Sequence, residues 1–383
     1  MKQPAPNAVT SLRINELSFC YISRSARQRS FEIGRARLTC PTGAITCIAG
    51  PSGSGKSTLL KLISGELIAK SGTIEFAGVN LARFPLGSRS TATVHQDYAL
   101  LRELTVVENV ELAITISRGQ VSAQSREEVT NILTSLKIDH IADRPVAEIS
   151  GGEAQRTAIA RALVVRPNVL MMDEPTSSLD MLSIDNLVHA ISEVKRIAKH
   201  CAVLIVSHDR DFCLRIADHL VVLDDGSVVW EGLVSSVLNE PRSRKVYDIL
   251  GLAFVIDGIV NSDGLVLPAV SKEFKDIVVS REVVGVTLPK GGSLELMIPR
   301  NRVSLHARGE PASSLAEGMC FAGVIRRTAL NARGQLEYDV QLENGTLWTG
   351  IWSANWPGAM NCSQDQAVWI GASGARVLNS KLL

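Results

Sequence analysis

Eight residues, Gly50-Pro-Ser-Gly-Ser-Gly-Lys-Ser57, set three glycines, a lysine and a hydroxyl between the apolar run Ile45–Ala49 and Thr58-Leu-Leu-Lys-Leu-Ile63. Glycines at 50, 53 and 55 let the backbone bend so that successive N–H groups face anionic oxygens, and the helix that follows adds its N-terminal dipole. A phosphate-binding loop of this kind is formed by Gly50, Pro51, Ser52, Gly53, Ser54, Gly55, Lys56, Ser57 and Thr58. Lys56 is placed to reach the β and γ phosphates of a nucleotide, and the Ser57 hydroxyl to bind the Mg²⁺ that bridges them. Val169-Leu-Met-Met-Asp-Glu174 ends an apolar strand in two acids. Asp173 is positioned to hold the metal through water, and Glu174 to orient and deprotonate an attacking water. A second anion site is expected at Ser150-Gly-Gly152, where the serine caps a helix and the glycines expose its first N–H groups.

These residues need a frame. From Ser11 to about Gly251, short β-branched runs alternate with longer amphipathic stretches, the pattern of βα units around a mostly parallel sheet. Ile45–Ala49, Val169–Met172 and Val203–Val206 are apolar without alternation, as expected of strands covered on both faces. Ligands of such sheets collect at the carboxyl ends of the strands, where the loop at 50–57 and the Asp173–Glu174 pair both lie. The 40 Lys and Arg against 39 Asp and Glu leave a formal net charge of +1, too little to gather nucleic acid. The longest apolar stretches, such as Ala202–Val206 and Leu250–Val255, fall well short of the roughly 20 residues of a spanning helix. Met1–Thr10 has no charged start followed by an apolar block, so no secretory signal is expected. Seven cysteines without a CxxC pair point to a reducing compartment and no zinc.

Over residues 11–240 the motifs together resemble the ATP-binding cassette, the motor subunit of ABC transporters. Ile149-Ser-Gly-Gly-Glu153 is similar to the family's LSGGQ signature, with Ile149 for the leucine and Glu153 for the glutamine. Gln96, in Thr93-Val-His-Gln-Asp97, resembles the Q-loop glutamine that contacts Mg²⁺ and water; Ser177-Ser-Leu-Asp180 resembles the D-loop of the dimer interface. His208, in Val206-Ser-His-Asp209, resembles the switch histidine that contacts the γ-phosphate, and Tyr21 the aromatic that stacks on adenine. Singly, Gln96, Tyr21 and His208 fit a surface amide, a core aromatic and a strand-end histidine; their joint order carries the resemblance. It implies an α/β P-loop NTPase cassette with a helical subdomain, using ATP and Mg²⁺. The implied catalytic set is Glu174, His208 and Gln96, and the metal set Ser57, Gln96 and Asp173. Two copies would sandwich two nucleotides, each held by Tyr21 and the phosphate loop of one chain and by Ser150, Gly151 and Gly152 of the other, with Asp180 of the D-loop also counted among the nucleotide-binding residues. Membrane permease subunits and a periplasmic or surface solute-binding protein are the implied partners, with the chain peripheral on the cytoplasmic face of the membrane. Leu100, Leu101, Val106 and Val107, after Gln96, fit a docking groove for the permease and equally the core of the helical subdomain.

Asn239-Glu-Pro-Arg-Ser-Arg-Lys245 is polar and proline-bearing, and after it the texture changes. Leu294, Leu296 and Ile298 alternate with Glu295 and Met297, and Tyr338, Val340 and Leu342 alternate with polar residues before the turn Asn344-Gly345. A small all-β domain over 252–383 is expected, with two similar stretches, 252–306 and 318–380, suggesting a duplicated OB-like barrel. Its 12 Lys and Arg balance 12 Asp and Glu between residues 251 and 383, so it is unsuited to gripping nucleic acid. It resembles the TOBE or MOP barrels of bacterial importers, and with Ile298-Pro-Arg-Asn-Arg-Val-Ser-Leu305 is most similar to the molybdate importer ATPases. Sugar, polyamine, iron and sulfate import remain open, as does an efflux or lipoprotein-release cassette. Trp348, Trp352, Trp356 and Trp369 lie in the last 40 residues, separated by glycine and proline, which favours core or interface packing over a ligand cage.

Overall fold

The computed structural model describes residues 11–21, 31–85, 89–177, 179, 181–237 and 243–260. Beyond them it describes 265–267, 277–279, 292–299, 303–307, 319–330, 336–342, 347–352, 365, 367–372 and 376–382. Two compact units divide the chain, Met1–Ser236 and Val237–Leu383.

In the first unit, β1 (Ser11–Cys20) and β2 (Glu32–Pro41) pair antiparallel, with Ile14 opposite Leu38. Next come β3 (Ile45–Ala49), α1 (Lys56–Ser64), β4 (Ser71–Phe76) and the two-residue β5 (Val79–Asn80). A four-stranded sheet results, in the order β2-β1-β4-β5. After β6 (Thr91–Val94) the chain forms the helices α2 (Val106–Arg118), α3 (Ala123–Ser135) and α4 (Gly151–Val164). It returns through β7 (Val169–Asp173), α5 (Met181–Ile197), β8 (Ala202–Ser207), α6 (Arg210–Ile216), β9 (His219–Asp224) and β10 (Ser227–Leu233). These complete a six-stranded sheet, β10-β9-β3-β8-β7-β6, in which all pairs are parallel except β9 with β10.

The sequence patterns explain the layering. Every residue of β3 and β8 is buried, as a strand covered on both faces requires. Leu59, Leu62 and Ile63 of α1 join one apolar core with Leu12, Ile14 and Leu38 of the antiparallel sheet and Ile48, Leu204 and Val206 of the parallel one. Each such side chain contributes roughly 1.5–3 kcal/mol when fully buried. That burial, rather than the marginal propensity of a nine-residue helix, fixes α1. Side-chain caps begin α2, α3 and α6: Thr105 and Glu108 form a reciprocal capping box at α2, Ser122 caps α3, and Asp209 caps α6.

The β9–β10 hairpin turns at Asp225-Gly226, both with left-handed backbone (φ +43° and +70°). Its Gly226 N–H donates to the Ser54 carbonyl (3.0 Å) and its carbonyl accepts from the Gly34 N–H (3.1 Å), so the turn props the phosphate loop from behind.

The second unit starts at Val237, the last residue of helix α7 (Val234–Val237), and takes in α8 (Arg244–Leu250). That start precedes the 252 expected from where alternation sets in, because α8 is tied back by the Tyr247 hydroxyl donating to the Val237 carbonyl (2.9 Å). The remaining described elements are strands: β11 (Ala253–Val260), β12 (Leu265–Leu267), β13 (Ile277–Val279), β14 (Gly292–Pro299) and β15 (Val303–Ala307). They continue with β16 (Met319–Leu330), β17 (Leu336–Leu342), β18 (Leu347–Trp352), β19 (Ala367–Ala372) and β20 (Arg376–Leu382). Among the described residues two five-stranded sheets form, β13-β12-β11-β14-β20 and β15-β19-β16-β17-β18. The halves 252–306 and 318–380 are therefore not closed in sequence: β15 pairs with β19 of the later stretch, and β20 returns to β14 of the earlier one. Trp348 is buried, in line with a packing role. Asn344-Gly345 lies outside the described residues, between the antiparallel strands β17 and β18.

Gly226→Ala would place a Cβ 1.8 Å from the Glu32 carbonyl oxygen at a left-handed position. A loss of roughly 2–5 kcal/mol is expected, the left-handed penalty and overpacking acting together. Chemical denaturation checks it; an unchanged midpoint would contradict this role of the turn.

Candidate functional site

Because β3, β6, β7 and β8 run parallel, their carboxyl ends meet on one edge, and the segments that follow bring Gly50, Gln96, Glu174 and His208 together. They surround a cavity of about 540 Å³ lined by Tyr21, Phe31, Ser52, Gly53, Gly55, Lys56, Ser57, Thr58, Gln96, Glu174, Ser177 and His208. A cleft of about 640 Å³ between α3 and the end of α5 holds none of the candidate residues.

Helix α1 starts at Gly55 with no side-chain cap, unlike α2, α3, α4 and α6. Its first N–H groups are left for a ligand with oxygen acceptors. Gly55 holds φ +104°, and a Cβ there would lie 2.5 Å from the Phe31 ring. Phe31, tilted against Tyr21 with ring centroids 6.4 Å apart, is a cavity residue that the sequence reading missed. Its contact with Gly55 spans 24 positions and leaves no periodic signal.

The charged groups form a connected set. The buried Lys56 ammonium donates to the carbonyls of Gly50 (2.9 Å) and Pro51 (3.1 Å) and lies 3.7 Å from Glu174 Oε1. Glu174 Oε2 accepts from the His208 backbone N–H (3.1 Å) and lies 2.7 Å from His208 Nδ1. An ionised carboxylate only accepts, so Nδ1 carries the ring proton in this pair. Glu174 itself has a left-handed backbone (φ +47°), pinned by its N–H donating to the Val206 carbonyl (3.0 Å). Strain of that kind is held at functional sites by the surrounding structure.

Ser57 Oγ donates to Asp173 Oδ1 at 3.0 Å. Burial raises the Asp173 pKa above the usual carboxylate range, the Ser57 bond partly offsets this, and the charge of Glu174 adds to it. A hydroxyl, a carboxylate and the Gln96 amide are hard oxygen donors that suit Mg²⁺, and a cation would relieve the burial of Asp173. When bound, Mg²⁺ supplies Lewis-acid charge neutralisation on phosphate oxygens.

Ser150 caps α4 in a reciprocal box with Glu153, whose carboxylate accepts from the Ser150 N–H (2.8 Å) and hydroxyl (2.7 Å). That hydroxyl bond leads the causes that hold the Glu153 pKa below its ordinary value. Ser150, Gly151 and Gly152 do not line the cavity that holds Lys56. Among the described residues, none lies within 4 Å of where a Cβ at Gly151 would stand. Asp180 lies outside the described residues. The apolar run after Gln96 divides: Val106 is fully buried in the helical subdomain, whereas Leu101 is 48 % exposed.

This arrangement is that of a nucleotide-hydrolysing cassette, and a family model described as ABC transporter matches residues 33–177. The chain belongs to the ABC transporter ATPase family; it binds ATP with Mg²⁺ and hydrolyses it. It is 33% identical over 319 residues to the sulfate/thiosulfate import ATP-binding protein CysA of Burkholderia mallei, an alignment covering 82% of this chain and 88% of that protein. It is 38% identical over 232 residues to CysA of Burkholderia pseudomallei, covering 60% of this chain and 66% of that one. For CysA of Escherichia coli the identity is 34% over 226 residues, 58% of this chain and 62% of that one. Among solved structures, the ADP conformation of MJ1267, an ATP-binding cassette of an ABC transporter, superposes with TM-score 0.54 at 29% identity, covering 63% of this chain and 98% of that one. The dimeric post-hydrolysis state of the cassette MJ0796 bound to ADP and Pi gives 0.51 at 25% identity, covering 58% and 98%.

Lys56→Ala removes charged hydrogen bonds worth roughly 1.5–3 kcal/mol, so ATP affinity is expected to fall roughly 10- to 150-fold in a direct binding titration. Unchanged affinity would contradict the loop's role. Asp173 must be ionised to hold a cation, and its pKa is raised. Magnesium affinity in the presence of ATP should therefore weaken, as pH falls, sooner than an ordinary carboxylate would make it. Asp173→Asn should flatten that dependence; a pH profile identical to wild type would contradict the assignment.

Proposed function

We propose that the chain is the ATP-hydrolysing motor of an ABC import system for a small oxyanion, with sulfate and thiosulfate ahead of molybdate. The relatives support this reading: those named above are sulfate/thiosulfate import proteins, and the 319-residue alignment is longer than the first unit. The observation that carries the motor function is the connected set Lys56, Glu174 and His208 at one cavity wall.

In the reaction, Glu174 takes a proton from the water whose oxygen attacks the γ-phosphorus, and the β–γ bridging oxygen leaves. His208 holds the Glu174 carboxylate in place, and Lys56 exchanges its carbonyl partners for phosphate oxygens. Tyr21, 42 % exposed at the cavity, offers its ring to the adenine.

Two copies work together on this reading. The helix N-terminus at Ser150–Gly152 is not part of the lining of the chain's own cavity, and no described residue lies within 4 Å of a Cβ at Gly151, which fits close approach by a second molecule's nucleotide. The dimeric MJ0796 cassettes have this stoichiometry. Among the described residues no helix is long and apolar enough to cross a membrane, so motion would pass to separate permease subunits, with the exposed Leu101 beside the Gln96 turn as a contact. A solute-binding protein, a station on the cytoplasmic face of the membrane, and a TOBE/MOP-type regulatory role for the strand-rich second unit complete the proposal.

Glu174→Gln should keep ATP binding while turnover falls roughly 100- to 10,000-fold, the usual worth of a general base. Wild-type turnover would remove Glu174 from that role. For the cargo, the chain co-purified with its membrane partners and reconstituted in vesicles should hydrolyse ATP faster with sulfate or thiosulfate. Stimulation by molybdate or a sugar alone would overturn the assignment.

A further inference from the structure

Gln96 opens a turn in which two successive non-glycine residues, Tyr98 (φ +62°) and Ala99 (φ +47°), have left-handed backbone. A Cβ disfavours that region, so two in a row persist only where neighbours over-determine them. The neighbour is Arg161, on α4: its Nη2 donates to the Tyr98 carbonyl at 2.6 Å and its Nη1 to the Ala99 carbonyl at 2.5 Å. The guanidinium is half-buried, and the charge of Asp97, within the same turn, partly offsets the cost of that burial. Just after the turn the buried Asn109 of α2 accepts from the Leu101 N–H (2.9 Å) and donates to the carbonyls of Leu101 (3.0 Å) and Thr105 (2.9 Å). Side chains of two helices thus hold this segment, Arg161 at Tyr98–Ala99 and Asn109 at Leu101, and Arg161 stands on the helix whose first residues are Gly151 and Gly152.

We propose that Arg161 is a positioning residue: it holds the Tyr98–Ala99 turn left-handed, sets the place of Gln96 at the nucleotide cavity, and ties that place to α4. Two carbonyls of adjacent residues match the planar fork of a guanidinium, which a lysine ammonium does not reproduce. Without the fork, Tyr98 and Ala99 relax toward the right-handed or extended regions, and the chain leading from Gln96 is redirected. Any displacement of α4 is delivered to Gln96 through two hydrogen bonds. The inference rests on the assignment of Gln96 to the nucleotide site.

The test uses the full-length chain with Arg161→Met, Arg161→Lys, Ala99→Gly, the double variants and Gln96→Ala. Turnover is normalised to the ATP bound per chain. Arg161→Met should lower kcat roughly 10- to 100-fold, the scale of a small misplacement at a reacting centre, with KM for ATP within about twofold. Ala99→Gly alone should change little. Added to Arg161→Met it should restore a substantial part of kcat, because glycine adopts the left-handed turn without help. A normalised kcat equal to wild type, or a loss that Ala99→Gly does not repair, overturns the proposal. If Arg161→Met does not fold, Arg161→Lys with and without Ala99→Gly carries the same comparison. Wild-type kinetics in Gln96→Ala would instead overturn the site assignment; slow turnover there beside normal turnover in Arg161→Met would overturn this inference alone.

Discussion

Parallel pairing of β3, β6, β7 and β8 is the constraint on which the rest of the molecule depends. Parallel strands put all their carboxyl ends on one edge, so four segments distant in sequence deliver Lys56, Gln96, Glu174 and His208 to one place. The same topology demands long crossovers, and one of them is the α2–α4 region that carries Ser150–Gly152 on a helix of its own. A buried ammonium beside an uncapped helix start gives this edge its preference for phosphate. The antiparallel sheet and α1 serve that edge by filling the space behind it with one continuous core.

Within the site, ionic partners are shared rather than paired off. Glu174 meets both Lys56 and His208, and Asp173 meets Ser57, so each group has a neighbour to release when a nucleotide arrives. A centre of this kind is ordered before its ligand binds, and charge placed there need not wait for the protein to reorganise. The second anion-ready helix start, at Ser150, is not among the residues that line the chain's own cavity. That placement is the physical ground for a working unit of two copies.

Much of this was legible in the sequence because local chemistry signals it. The phosphate loop, the Asp173–Glu174 strand end and the fully apolar strands each announce themselves within a few residues, and β3 falls on the Ile45–Ala49 expected of it. Ser150 capping α4 was legible for the same reason. Contacts between distant segments were not. Phe31 reaches Gly55, and Arg161 reaches the carbonyls of Tyr98 and Ala99; a side chain that binds backbone leaves no residue-type signature at its partner. Strand exchange in the second unit escaped as well, since alternation within β14 shows that it is a strand and not which strand it pairs with. The outcome for the apolar run after Gln96 turned on packing: Val106 went to the core and Leu101 stayed at the surface.

The central claim is that each ATP is held between the Lys56 loop of one copy and the Ser150–Gly152 helix start of another. Mixing two inactive full-length variants, Lys56→Ala and Gly151→Asp, tests it directly through ATP hydrolysis. In a mixed pair one site carries both defects and the other carries none, so activity absent from either parent should appear. A mixture as inactive as its parents, with mixed pairs demonstrably formed, would contradict the account.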